Sequence, residues 1–248
     1  MMRYGVLLAA VAALSIPVAI VAKDVASPVI AKALADPARA DQAGDDVRRH
    51  AAEVLAFSGV KPGQQVVDFI PGGGYWTRIF TGIVGSSGHV YAPFPNLFGP
   101  KAQTRVDAIN GYKLANVTSA IDPAIITVDK PVDLVWTVQN YHDVPNDGRG
   151  EAGINTVNAA VLKALKPGGI YVVIDHVAPA GSGLTDTNTL HRIDPAIVKK
   201  EVLAAGFQWV GESKALANPK DDHTLKVFDP AIRGQTDQFV YKFRKPLK

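Results

Sequence analysis

The chain has 248 residues, 47% of them hydrophobic, a formal net charge of +3 and no cysteine. That length suffices for one α/β domain with a buried core. The basic residues form no cluster of the kind a dedicated nucleic-acid binder concentrates on one face. Without cysteine, disulfides, thiolate catalysis and thiolate-held metals are excluded.

In chain order, Arg3 precedes an uncharged stretch, residues 4–22, rich in Leu, Ala, Val and Ile and closed by Lys23 and Asp24. A basic start followed by an apolar run predicts an export signal or N-terminal anchor over residues 1–22. The expected location is therefore exported, periplasmic or anchored facing the periplasm, with membrane contact only through these residues if they are uncleaved. Residues 23–44, rich in Ala, Asp and Pro, read as a linker or arm, and residues 45–248 as the functional domain.

A helix is predicted from near Asp45, with Val47, Ala51, Val54 and Leu55 on one face and Gly59 at its end. Residues 65–70 read as a buried strand that Pro71 to Gly74 cannot continue, and residues 75–84 as a helix ended by Gly85. A strand at 88–92, a helix at 101–110 and a weaker strand at 115–119 follow. Residues 132–138 form a clear strand pattern. Ile154, Val157, Val161 and Leu165 mark one face of a helix, and the turn 166–169 leads into a strand at 170–174. Asp194 caps a further helix, with Pro195 in its first turn and Gly206 past its end. Residues 207–211 and 237–243 are the last two strands. This alternation predicts an α/β fold: a Rossmann-like, mostly parallel seven-stranded sheet with helices on both faces and an antiparallel C-terminal edge. Ligands in such sheets bind at the carboxyl ends of the strands, near the switch in strand order.

The strongest local signal is Val66-Val67-Asp68-Phe69-Ile70-Pro71-Gly72-Gly73-Gly74-Tyr75. An acid ends a strand, and glycines lead into a helix. Glycine allows close backbone approach and positive φ, and the helix start offers free N–H groups to an anion. A tight strand-to-helix turn would also account for the loop alone. The segment resembles motif I of class I S-adenosylmethionine-dependent methyltransferases: Asp68, Gly72 and Gly74 match, while Ile70 replaces the first glycine. Pro131-Val132-Asp133-Leu134-Val135 is similar to that family's fourth strand, Leu165-Lys166-Pro167-Gly168-Gly169 to the turn before its fifth, and Ala204-Ala205-Gly206-Phe207 to the turn before its sixth. The resemblance covers roughly residues 46–244 and is closest to predicted exported bacterial methyltransferases carrying Asn-Tyr-His-Asp after strand four.

The resemblance implies S-adenosyl-L-methionine as cofactor. Gly72, Gly73 and Gly74 would face its methionine end, and Asp68 would orient its amino group. Tyr75 and Asn140 would line the pocket. The family carries an acid at the end of strand two to grip the ribose; here that place holds residues 91–96, Tyr-Ala-Pro-Phe-Pro-Asn, and Asn96 is the remaining candidate. Loss of such a charge-assisted contact weakens affinity by ~1.5–3 kcal/mol.

Asn140-Tyr141-His142-Asp143 directly follows the fourth strand, where the resemblance places the acceptor. His142 is the candidate proton acceptor, and Asp143 its orienting carboxylate. Tyr141, His191 and Arg192 are candidate substrate contacts, Arg192 for an acidic group. Asp175-His176 follows the fifth strand next door; a metal held with His142, Asp143 and His191 lacks short-range ligand spacing and is not expected. The reading is methyl transfer to a small-molecule acceptor, with no nucleic-acid partner. The alternative is an exported binding protein with this fold and no turnover; a metal-dependent hydrolase stands behind both.

Overall fold

The computed structural model describes residues 27–95 and 100–248. The expected export segment and Asn96 lie outside them. Seven strands form one sheet: β1 (Gln65–Phe69), β2 (His89–Pro95), β3 (Val117–Asp122), β4 (Val132–Val138), β5 (Leu165–His176), β6 (Gln208–Ser213) and β7 (Gln238–Arg244). Their order is β3-β2-β1-β4-β5-β7-β6. The first five in sequence pair in parallel, and β7 runs antiparallel between β5 and β6. This is the predicted Rossmann-like sheet with its antiparallel edge.

Among the described residues, seven α-helices accompany the sheet: α1 (Pro28–Leu34), α2 (Asp45–Arg48), α3 (Ala51–Ser58), α4 (Tyr75–Val84), α5 (Pro100–Gly111), α6 (Glu151–Ala164) and α7 (Pro195–Ala204). The period-two alternation of the strands sorts their side chains to two faces. Val67, Phe69, Val135, Tyr171 and Val173 pack with Ile154, Val157 and Val161 of α6 and with Val198 and Val202 of α7. Val66, Leu134, Trp136, Val172 and Ile174 point the other way, against Val54 and Leu55 of α3 and Trp76, Ile79, Phe80 and Ile83 of α4. Burial on both faces is why these strands read as continuous apolar runs.

Three local readings change. The helix predicted from Asp45 is broken: His50 takes the left-handed conformation at φ 45°, so α2 and α3 are separate turns. The segment read as a linker is structured, since α1 buries Ile30 and Ala33 against α4, and Arg39 beyond it is buried in an ion pair with Asp46 at 2.7 Å. Its high alanine content suits a small helix lying on another one, which composition alone does not separate from a loose arm. The strand predicted at 170–174 begins earlier, at Leu165, and runs through the Pro-Gly-Gly turn. No helix among the described residues is long and apolar enough to cross a membrane.

Candidate active site

The sheet changes direction between β1 and β4, which lie side by side although β2 and β3 intervene in sequence. At the carboxyl ends of these strands is a cavity of about 690 Å³. Its walls come from the loop after β1 (Ile70, Pro71, Gly72, Gly73), the start of α4 (Tyr75, Trp76) and the loop after β4 (Gln139, Asn140, Asp143). Asp68 and His191 also reach it.

The glycine loop is built on left-handed backbone. Ile70 stands at φ 56° where the resemblance places a glycine, next to Gly72 at 59° and Gly74 at 79°. A β-branched residue in that conformation is strained by roughly 1–3 kcal/mol, and the surrounding contacts must hold it there. Asn140 is one of them: its Nδ2 donates to the carbonyls of Phe69 and Ile70, at 3.1 and 3.2 Å, tying the loop after β4 to the loop after β1. The Oδ1 of the same amide is buried and has no hydrogen-bond partner among the described residues. Asp68 is buried and accepts a 2.6 Å hydrogen bond from Thr77 Oγ1. Desolvation by burial, only partly offset by that bond, pushes its carboxyl up to about 7.

The three glycines differ. A Cβ on Gly73 would meet nothing within 4 Å, so a ligand can approach it closely. Gly74, expected to face the cofactor, is outside the cavity lining; a Cβ there would lie 3.1 Å from Ile109 and 3.2 Å from Tyr112. Its role is the αL position that starts α4. Gly72 lies under Arg105, whose Nη1 is 4.0 Å from its would-be Cβ. Tyr75 lines the cavity with its ring, while its hydroxyl donates to Asp46 Oδ1 at 2.6 Å.

On the other side, the short helical turn Tyr141–Asp147 carries His142. Asp175, wholly buried at the end of β5, accepts from the His142 backbone N–H at 2.9 Å and from its Nδ1 at 2.7 Å. A third bond, from the His176 N–H at 2.7 Å, fixes the carboxylate. Asp175, not Asp143, therefore orients the ring. Asp143 lies on the other ring nitrogen, 3.4 Å from Nε2, and His191 Nδ1 is 3.3 Å from that same atom. Burial opposes charge on His142, but the Asp175 carboxylate outweighs it and holds the pKa above the ordinary histidine value. Burial pulls His191 down and lifts Asp143. It also brings His176, bonded to Thr236 Oγ1 at 2.8 Å, down to about 4.

Two expected substrate contacts are scaffold. Tyr141 is buried under α6 and α7, where its hydroxyl accepts from Asn158 at 2.9 Å and faces Glu201 at 3.4 Å. Arg192 is fully buried, paired with Asp221 at 2.9 Å and donating to the carbonyls of Val177 and Leu225. It anchors the loop that presents His191, which itself stands at φ 56° beside the Phe228 ring. Sequence reasoning passed over Arg49, Lys101 and Arg105, all on the cavity wall. The i, i+4 spacing of Lys101 and Arg105 on one helix face was the available signal.

No protein-family profile matches the chain, and none of the curated proteins does. Solved structures do share the fold. A SAM dependent methyltransferase from Aquifex aeolicus superposes with a TM-score of 0.56 and 17% identity over 87% of this chain and 96% of its own. The N-methyltransferase NodS from Bradyrhizobium japonicum WM9, in complex with S-adenosyl-L-homocysteine, gives 0.56 and 12% over 88% and 96%. The [4+2]-cyclase SpnF gives 0.58 and 16% over 84% and 82%. At such identities the likeness establishes the methyltransferase fold and leaves the activity to the site.

Proposed function

We propose that this chain transfers a methyl group from S-adenosylmethionine to a small-molecule acceptor bound in the cavity between β1 and β4. One observation carries the reading: the glycine loop with Asp68, after β1, and the oriented histidine His142, after β4, lie at the carboxyl ends of two adjacent parallel strands, at the switch in strand order. The residues present fit the methionine end of the donor. Gly73 leaves room for it, Asp68 supplies a carboxylate for its amino group, and Asn140 Oδ1 is a buried acceptor lacking a partner. The fit is poorer at the ribose end, where β2 finishes as Pro93-Phe94-Pro95 without an acid.

When bound, the donor supplies an activated sulfonium methyl group. The chain's share is alignment and exclusion of water. With Nδ1 held on Asp175, His142 keeps its electron pair on Nε2, where it takes the proton from the acceptor. His191 and Asp143 border the acceptor's side of the cavity. In this reading residues 1–22 export the protein, and a fusion of residues 1–40 to a reporter active only outside the cytoplasm gives signal; a cytoplasmic, uncleaved fusion overturns that part.

A second reading, a binding protein of this fold without turnover, is favoured by the missing acid after β2, and the sharing of the fold with a cyclase shows that fold does not dictate reaction. Titration calorimetry of the chain with S-adenosylmethionine and S-adenosylhomocysteine tests the first reading. Absence of binding at millimolar ligand overturns it; binding without methyl transfer across a panel of small hydroxyl and amine acceptors moves the assignment to the second.

A further inference from the structure

His142, Asp143 and His191 come from two loops 48 residues apart in sequence, and they bring three potential ligand atoms close together. The edges of the triangle are 3.3 Å from His191 Nδ1 to His142 Nε2, 3.4 Å from His142 Nε2 to Asp143 Oδ1 and 3.6 Å from His191 Nδ1 to Asp143 Oδ1. Those edges put the triangle's centre about 2.0 Å from each corner, the bond length zinc adopts with imidazole nitrogen and carboxylate oxygen. Without a cation, contacts this short need a proton on one of the facing ring nitrogens.

We propose that this triad is a binding site for a divalent first-row transition metal of the zinc class. The surroundings are those of a metal centre. Asp175 accepts from His142 Nδ1 at 2.7 Å, which places the lone pair on Nε2, and it is itself fixed by two backbone N–H groups. A carboxylate behind a ligating imidazole sets its tautomer and raises its basicity. Arg192, locked on Asp221 and two carbonyls, immobilises the loop that holds His191. Two nitrogens and one carboxylate oxygen suit zinc and its neighbours better than magnesium or calcium.

Three protein ligands leave a coordination position open. Asp143 and His191 both border the cavity, so the fourth ligand comes from there. The existence of the site is independent of the methyl-transfer reading; its use rests on that reading. A cation held there would make an acceptor hydroxyl in the cavity more acidic, and its proton would pass to solvent before the methyl group is transferred. The oxygen lone pair then forms the O–CH₃ bond as the S–CH₃ bond breaks, and that bond's electron pair passes to sulfur. With a metal bound, His142 would serve as a ligand and the cation would supply the activation of the acceptor that His142 otherwise provides.

The test uses the full chain, stripped with a chelator and titrated with Co²⁺ and then with Zn²⁺. One equivalent of Co²⁺ should bind with visible d–d absorption of a nitrogen- and oxygen-ligated site, and Zn²⁺ should bleach it. His191→Ala, a partly exposed position whose variant should retain the unfolding temperature, should abolish the absorption, as should His142→Ala. Asp175→Asn should weaken the affinity about 10–100-fold, and His50→Ala, far from the triad, should change nothing. Absence of the absorption in the wild-type chain, or equal Co²⁺ binding by wild type and His191→Ala, overturns the proposal. Calorimetry with S-adenosylmethionine on the same stripped protein reports on the donor site separately, so failure of one reading is not mistaken for failure of the other.

Discussion

The carboxylate of Asp175 lies 2.7 Å from His142 Nδ1, and it reaches that position from a different strand, β5, than the one that precedes the histidine. Two neighbouring parallel strands end side by side: Asp175 is the penultimate residue of β5, and His142 lies on the turn that follows β4. Asp175→Asn should keep the shape of the pocket but remove the charge that fixes the imidazole. Turnover on an identified acceptor should fall by about 10²-fold, within the range a general base contributes, while donor affinity stays within about threefold, under ~0.7 kcal/mol. The ¹⁵N shifts of His142 should report the loss of a single tautomer. His142→Ala should act in the same direction and at least as strongly. Loss of donor binding in either variant would place His142 in the cofactor pocket instead.

Asp68 makes stability and donor affinity depend on pH in opposite ways. Its carboxyl titrates near 7 in the folded chain because burial penalises the charge, against an ordinary value of 3.8. Between these values the folded state holds a proton that the unfolded state has released, so stability falls as pH rises from about 4 to about 7 and then levels off. The span is on the order of 4 kcal/mol. Glu201, also lifted to about 7 by burial, adds to the slope in the same window. Chemical denaturation across this range should show the decline, reduced in Asp68→Asn and reduced further when Glu201→Gln is added. Donor affinity should move the other way, tightening by up to about tenfold per pH unit below 7 if the donor's amino group needs the ionised carboxylate. A flat profile in the wild-type chain would remove Asp68 from the donor site.

The glycines of the loop should separate folding from binding. Gly73→Ala places a methyl in open space and should leave the unfolding temperature unchanged while lowering donor affinity. Gly74→Ala meets Ile109 and Tyr112 at a left-handed φ of 79° and should cost about 1–3 kcal/mol of stability. Equal donor affinity in Gly73→Ala and wild type would show that the ligand does not approach this face of the loop.

Arg192 and Asp221 form a fully buried ion pair, so truncating one partner strands the other charge. Asp221→Asn or Arg192→Ala should destabilise the domain by about 3–5 kcal/mol, read as a shift in the urea midpoint. An Arg192 variant of undiminished stability with a raised KM would restore the substrate-binding role that burial argues against.

Much of the architecture was legible in the sequence because secondary structure is a local property. The pattern of apolar strands between amphipathic helices led to a seven-stranded, mostly parallel sheet, and Asp68 with the run Gly72-Gly73-Gly74 marked where its first strand hands over to a helix. Those signals depend on spacing along the chain and survive without knowledge of partners. The break at His50 and the packing of α1 were not legible, since each is decided by a neighbour distant in sequence. The site divides the same way. Asp68, Gly73, Asn140 and His142 stand out because residues at strand ends converge in this fold. Which carboxylate orients His142, whether an arginine binds substrate or braces a loop, and whether three donors meet at one point are questions of distance. Asp143 is adjacent to His142 in sequence, yet the contact to Nδ1 belongs to Asp175, 33 positions away. Arg192 and His191 are neighbours in the chain, but one side chain turns into the core and the other toward the cavity. Only tertiary packing sets those directions, because the free energy of burying a charge depends on what lies against it and not on its place in the chain.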